Sequence, residues 1–385
     1  MAIEILRKKK ERLGYMKKQI DFHVKEWEEI KHDINPLEFV YTFVKGETVS
    51  KITPVSRAFF KMIEILYNID DLPLKPIRTL HIAEAPGGFI QAINWKRKPL
   101  GLIDYNMGWT LHKENAWRKL EDVSKSWSIK PVLKIGDLLK KSNRKQIINS
   151  HEDSKAFFVT GDGGFDFSSD YEHQETSALP LIMAQTVVGL KCLKKEGVFV
   201  LKIFDCFTLP TIQILWVFWK VFKGFRVIKP STSRACNSEK YIIARGFKGI
   251  GENLEVFLNK CETFLEDIET NKKYLPIQTL FEEGRASEWD TIEDEFKRNF
   301  ITIIGGMIDT QTNWIQRGLN KYKISDEKKV QLAKQWCRKY GIPISHNYYE
   351  IHPMNETSTK SDWQDNDQHF SLRRRLTSDS PPHDG

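Results

Sequence analysis

The chain has 385 residues, 40% of them hydrophobic and 29% charged, and its 59 Lys and Arg outnumber 51 Asp and Glu for a formal net charge of +8. Such a composition excludes a fibre, a wholly disordered chain and a membrane bundle, and at ~100–200 residues per domain it has material for two or three domains. The basic balance favours a polyanionic partner, and the apolar stretch from Phe207 to Phe222, broken by Pro210, Gln213 and Lys220, falls short of the ~20 apolar residues that span a bilayer, so no membrane is expected.

Residues 1–49 are expected to form a basic, largely helical arm. Charges follow a very short apolar start, the reverse of a signal peptide, and Met1 to Lys18 carries seven basic and two acidic residues. Ile3, Leu6, Leu13, Ile20, Val24 and Trp27 recur at amphipathic helix spacing. Two roles suit the arm: a helix docked on the body with a solvated basic face, or a guide for RNA. Cys192, Cys206, Cys236, Cys261 and Cys337 include no C-x-x-C pair, so neither a disulfide framework nor a structural zinc site is expected, and no metal. A reducing, intracellular compartment follows, cytoplasmic (viral factory or virion included) or nuclear.

Residues 50–249 alternate short apolar runs with helical stretches. Strands are predicted at Thr79–Ala85, Leu100–Tyr105, Val132–Ile135, Ala156–Gly161, Gly197–Phe204, Phe225–Lys229 and Lys240–Phe247, with helices at Gly88–Arg97, Glu175–Leu193 and Leu209–Phe222. This is the pattern of an α/β protein with a mostly parallel sheet covered on both faces, which binds ligands at the carboxyl ends of its strands. Residues 250–352 read as a separate helical satellite, with helices at Leu254–Ile268 and Ser325–Tyr340 and punctuation at Pro276 and Gly305-Gly306. Residues 353–385 are rich in Ser, Asp, Asn and Pro and are expected to be a disordered tail.

Four short segments carry chemistry. Glu84-Ala85-Pro86-Gly87-Gly88-Phe89 follows a strand and opens a helix, where glycines let a ligand approach the backbone and the helix start offers N–H donors. It is not G-x-G-x-x-G, so it suits a nucleoside-type ligand better than a dinucleotide. Asp104, 20 residues after Glu84, is expected at the end of the next strand, holding ribose hydroxyls. Asp162, in Gly161-Asp162-Gly163-Gly164-Phe165-Asp166, is placed over the site at a strand's carboxyl end. Lys202 sits in the apolar run Val200–Phe204, where a lysine either snorkels at an edge or takes a partner. Lys61 and Glu239 complete the set.

Lys61, Asp162, Lys202 and Glu239, in that order, resemble the Lys-Asp-Lys-Glu tetrad of the FtsJ-like RNA 2'-O-methyltransferases. The text around them is similar to the branch acting on mRNA caps in eukaryotes and large DNA viruses: Asp162–Asp166, Lys202-Ile203-Phe204-Asp205, Lys229–Arg234, Asn237-Ser238-Glu239, Gly108–Leu111 and Gly136-Asp137-Leu138. The likeness spans about residues 50–249, with Glu84 where Asp is commoner and Ala85 where Cys is frequent. It implies a Rossmann-like methyltransferase sheet, S-adenosyl-L-methionine as cofactor, and the four tetrad residues as catalytic. It also implies cofactor contacts from Glu84–Phe89, Asp104, Asp137 and Asp162, with RNA, 5'-capped mRNA foremost, as partner, alongside polymerase or other capping enzymes. Arg57 and Arg234, just upstream of Lys61 and Glu239, are placed to hold phosphates. A ribose 2'-hydroxyl is a poor nucleophile, so a base must take its proton, and Lys202 is expected in that role, with Asp162 positioning it. A related enzyme of ribosomal or transfer RNA, or an RNA-binding subunit with a vestigial site, shares the same core.

Overall fold

The computed structural model describes residues 2–43, 47–69, 72–111, 115–164, 173–271, 279–280, 292–349 and 371–372. In chain order the elements are α1 (Ala2–Ile20), α2 (Val24–Ile34), α3 (Ala58–Tyr67), β1 (Arg78–Ile82), α4 (Gly88–Arg97), β2 (Tyr105–Thr110), α5 (Arg118–Ser124), β3 (Val132–Ile135), α6 (Lys141–Asn149), β4 (Ala156–Gly161), α7 (Gln174–Cys192), β5 (Leu193–Ile203), α8 (Leu209–Val221), β6 (Phe222–Ile228) and β7 (Lys240–Phe247). Helices α9 (Glu252–Asn271), α10 (Asp294–Leu319) and α11 (Asp326–Tyr340) follow. Among the described residues no helix is long and apolar enough to cross a membrane.

The strands form one mixed sheet in the order β3-β2-β1-β4-β5-β7-β6, with Ser371–Leu372 as a two-residue β8 against β6. Apart from that pair, the tail expected to be disordered lies outside the described residues. Strands β1 to β5 run parallel, and β7 is antiparallel to both β5 and β6. Chain direction across the sheet switches between β1 and β4, so the loops leaving these two strands diverge and open a crevice at their carboxyl ends. Because β7 is reversed, its first residue meets that same edge.

From Gly197 onward strand β5 is buried on both faces, which explains its apolar run Val198–Leu201. Phe199, Leu201 and Ile203 pack into the core of α7, α8, α9 and α10. Val198 and Val200 point the other way, into the core of α3, α4 and α11. Period-2 alternation puts Lys202 on this second face, under α3.

Two sequence expectations fail for identifiable reasons. Leu100–Tyr105 is not a strand: Gly101 turns with φ +73°, Leu100 and Ile103 face solvent, and the backbone extends only from Tyr105. Gly305-Gly306 does not interrupt a helix but lies inside α10. A Cβ on Gly305 would lie 3.4 Å from Lys9 Cε of α1, an ordinary contact, so the glycine faces the crossing helix without being required by it.

The arm and the satellite are not separate bodies. Leu6, Leu13, Met16, Ile20 and Trp27 are buried in the core that contains α10, whereas Val24, expected on the same face, is exposed. The arm therefore docks. On the opposite face Val49 and Lys51 exchange backbone hydrogen bonds with Ser345 and Pro343. Glu64 of α3 is buried and accepts the backbone N–H of Ser231 (2.7 Å) and Thr232 (2.8 Å), the Thr232 hydroxyl (2.6 Å) and the Trp336 indole N–H of α11 (3.1 Å). Trp336 also meets Phe60 edge-on at 5.7 Å. Replacing Trp336 with Ala should therefore lower the unfolding free energy by about 3–5 kcal/mol. Denaturant unfolding followed by fluorescence and circular dichroism is expected to show one transition; two separate ones would make the satellite an independent unit.

Candidate active site

The crevice begins with the turn after β1. Ala83 (φ +56°) turns the chain, and Gly87 (φ +106°) supplies the left-handed residue before α4. The glycines also serve packing. A Cβ on Gly87 would lie 2.5 Å from Leu120 Cδ2, and one on Gly88 would lie 2.4 Å from Ser56 Oγ. Between them, Ala85 and Pro86 carry the chain over the crevice edge. Glu84 folds under the turn: its Oε1 accepts the Phe89 N–H at 2.6 Å, while its buried Oε2 has no hydrogen-bond partner among the described residues. Burial, reinforced by the Asp162 charge, pushes this carboxyl well above the usual range despite the Phe89 hydrogen bond. A buried carboxyl oxygen without a donor is matched by a cationic ligand group.

Asp137 lies at the same edge, after β3, with Oδ1 accepting the Leu139 N–H at 2.9 Å. Asp104 does not. It precedes β2, at the amino edge of the sheet, where its carboxylate is buried against Arg97 and accepts the Ile77 N–H at 2.9 Å. Its expected hold on a ribose is therefore withdrawn; it ties β1, α4 and β2 together. Glu84, Asp137 and Asp162 remain as carboxylates at the carboxyl edge, and with the orphan Glu84 oxygen they fit the cationic, hydroxyl-rich S-adenosylmethionine.

Beside this turn two lysine–carboxylate pairs converge. Asp162 directly follows β4, its N–H donating to Ile82 O at 3.1 Å. Its Oδ1 lies 3.2 Å from Lys202 Nζ and accepts the Tyr241 hydroxyl at 2.8 Å. Register places Tyr241 directly opposite Lys202, so β7 braces the pair. Next to it Lys61 of α3 bonds both oxygens of Glu239, at 2.7 and 2.9 Å, and Ser233 donates to Glu239 Oε1 at 2.9 Å. Burial would raise the Glu239 carboxyl, but the Lys61 and Lys202 charges outweigh it and hold it down at about 2. All four side chains stay between 12% and 18% exposed, so a substrate can reach them. The Asp162 loop is set by Gln185, which accepts the Gly163 N–H at 2.8 Å; Phe165 and Asp166 of that motif lie outside the described residues.

Arg57 and Arg234 reach the same region by different means. Arg57 immediately precedes α3, one turn before Lys61, and is exposed, with its guanidinium 5.3 Å over the Tyr41 ring. Arg234 is largely committed to Glu38, which it bonds at 3.1 and 3.3 Å, and to His32. Both line a cleft of about 390 Å³ that also includes Lys61 and adjoins Glu239 through Asn237 and Ser238. Sequence reasoning missed Tyr241, Gln185 and Ser233 as supports. Of these only Tyr241 left a signal, two residues after Glu239 in a strand whose register with β5 puts it beside Lys202.

An FtsJ-like methyltransferase family model matches residues 54–247. A cap-specific mRNA (nucleoside-2'-O-)-methyltransferase 1 of Dictyostelium discoideum is 29% identical over 60% of this chain and 35% of its own length. An uncharacterised protein of Acanthamoeba polyphaga mimivirus is 28% identical over 73% of this chain and 36% of its own. The chain thus spans about a third of the length of these curated relatives. A crystal structure of a Plasmodium falciparum ribosomal RNA methyltransferase superposes with a TM-score of 0.40 at 17% identity, covering 51% of this chain and all of that one. With the family match covering residues 54–247, half of the sequence and every residue of the two lysine–carboxylate pairs, the chain belongs to the FtsJ-like methyltransferase family.

Proposed function

We propose that the protein is an S-adenosylmethionine-dependent mRNA cap 2'-O-methyltransferase. The observation that carries this reading is the convergence of Lys61–Glu239 and Asp162–Lys202 at the crevice beside the Glu84 turn. Cap specificity is supported by relatives bearing that name, among them the Dictyostelium discoideum protein. The partner is then 5'-capped mRNA, met in the nucleus or cytoplasm, with polymerase or other capping enzymes as neighbours.

S-adenosylmethionine supplies an electrophilic sulfonium methyl and leaves as S-adenosylhomocysteine. The protein's part is to seat the ribose and receive its proton. With the cofactor bound, Lys202 Nζ, fixed by Asp162 and having shed its own proton, would take the 2'-hydroxyl proton as the oxygen attacks the methyl carbon and the carbon–sulfur bond gives way. Free lysine has a pKa of ~10.4, so positioning rather than basicity has to supply much of the rate. Asp162 and Tyr241 hold Lys202 from one side, and Glu239 anchors Lys61 on the other, leaving the Lys202 amine and the Lys61 ammonium to flank one hydroxyl. Glu84 would hold the cationic amino-acid end of the cofactor.

Methyl transfer from labelled S-adenosylmethionine to short RNAs tests the reading. Label is expected on capped RNA and not on uncapped or already 2'-O-methylated RNA. Equal labelling of uncapped RNA would point to a structural-RNA enzyme, and none on any RNA with cofactor bound would point to a vestigial site. Lys202→Ala should cut the rate by about 10²–10⁴-fold with cofactor binding retained, the range for a lost proton acceptor. Retained activity in that variant would refute the assigned base.

Cofactor binding should also carry a pH signature. Glu84 holds its proton more tightly than an ordinary glutamic acid. A cation arriving beside it favours the ionised form, so binding releases a proton and strengthens as pH rises. Calorimetry in two buffers of different ionisation enthalpy should detect that release, and Glu84→Gln should abolish it; equal release from the variant would remove Glu84 from the cofactor site.

A further inference from the structure

We infer that the 390 Å³ cleft beside Lys61 is a phosphate-binding channel built jointly by the arm and the catalytic core, and that it holds the run of phosphates next to the target nucleotide. The inference rests on RNA being the substrate. Among the described residues, every charged one lining the cleft is a cation: Lys17 in the last turn of α1, Lys31 on α2, Arg57 just before α3, Lys61 on α3, and Arg234. Lys17, Lys31 and the α10 residue Gln311 lie outside residues 54–247, so this wall does not belong to the matched family region.

The cations are held in place from outside the cleft. Lys17 pairs with the buried Asp205 at 2.6 Å, Arg234 with the buried Glu38 at 3.1 Å, Lys31 with Glu28, and Lys61 with Glu239. None of these carboxylates is among the described residues lining the cleft, so Lys17, Lys61 and Arg234 present N–H donors from positions fixed by ion pairs with buried or nearly buried carboxylates. Four of the five cations are paired with carboxylates set back from the cleft, so a polyanion there meets their remaining N–H donors together with the Arg57 guanidinium. The cleft is small, about 390 Å³. It opens where the ribose must sit, through Lys61 and the Asn237-Ser238 stretch before Glu239. A strand whose 2'-hydroxyl reaches Lys202 has to lead its phosphates away from there, and the cleft is lined for them.

The test is binding of capped and uncapped RNA of one sequence, without cofactor, by fluorescence anisotropy between 50 and 200 mM salt. For single strands the log–log salt slope changes by ~0.7 per phosphate contact. Lys31→Ala and Arg57→Ala should each flatten the slope by about 0.7, and the double variant by about 1.4. Lys31 pairs with an exposed glutamate, so its loss spares the fold, and an unchanged melting temperature verifies that. Lys223→Ala, on β6 at the opposite edge of the sheet and paired with Glu196, should leave the slope unchanged. Flattening on both RNAs assigns the cleft to chain phosphates; flattening on capped RNA alone assigns it to the triphosphate bridge. Wild-type slopes in the variants would overturn the cleft while leaving the methyl-transfer reading intact. Failure of the wild-type protein to bind any RNA would overturn both.

Discussion

A lysine ammonium at the buried end of a β-strand has to be matched by an anion, and the rest of this site is arranged around that requirement. Removing one partner of such a pair leaves an uncompensated charge, which costs far more than the intact pair contributes. Lys202 is matched by Asp162 and Lys61 by Glu239. The four residues come from four places in the chain, so only the finished sheet satisfies them. Reversal of β7 is the decisive step, because it delivers Glu239 to the edge where β4 ends and under which α3 lies. Were β7 parallel to β5, its first residue would emerge at the far edge.

The same logic extends outward in shells of buried carboxylates. Glu64 gathers three donors from Ser231 and Thr232, fixing the loop that carries Ser233 and leads to Glu239, and its fourth donor is Trp336 of α11. Glu38 fixes Arg234 from the arm side. Asp205, three residues after Lys202, is buried between Lys17 of α1 and Lys240 of β7. Arm and satellite therefore hold the loops that position the chemistry. Burial costs each carboxyl its hydration, and the donors drawn in as replacement come from segments far apart in sequence.

What the sequence disclosed and what it hid divide along the same line. Strands Val132–Ile135, Ala156–Gly161 and Lys240–Phe247 and helix Gly88–Arg97 were legible to the residue, because each is a short run closed by glycine, proline or charge, although Val132–Ile135, at the sheet edge, is largely exposed. Lys202 was legible as a lone cation in an apolar strand. Asp104 was misread because Leu100 and Ile103 imitate a strand while lying in an exposed turn, which shifted β2 and placed the aspartate at the wrong end of it. The Arg234–Glu38 and Glu64–Trp336 contacts join residues 196 and 272 positions apart, and no local pattern announces such a partner. Arg234 was accordingly expected to be free for phosphate, when most of its guanidinium is engaged by the arm.

Two kinds of precision are at work in the resulting site. Methyl transfer needs its reacting atoms held to a fraction of an ångström, so its residues sit on or directly beside sheet strands and one packed helix, all within residues 54–247. Attraction of a phosphate run depends on Coulomb forces that fall off gently with distance, and it tolerates side chains on helices laid over the core. That difference in tolerance explains why the chemistry is confined to the shared family region while the cationic wall draws on α1 and α2. It also explains why the arm is anchored by buried ion pairs and a docked apolar face. A basic helix left loose would bring positive charge near the site without a fixed direction, and the crevice at the end of β4 and β5 needs the strand led in from one side.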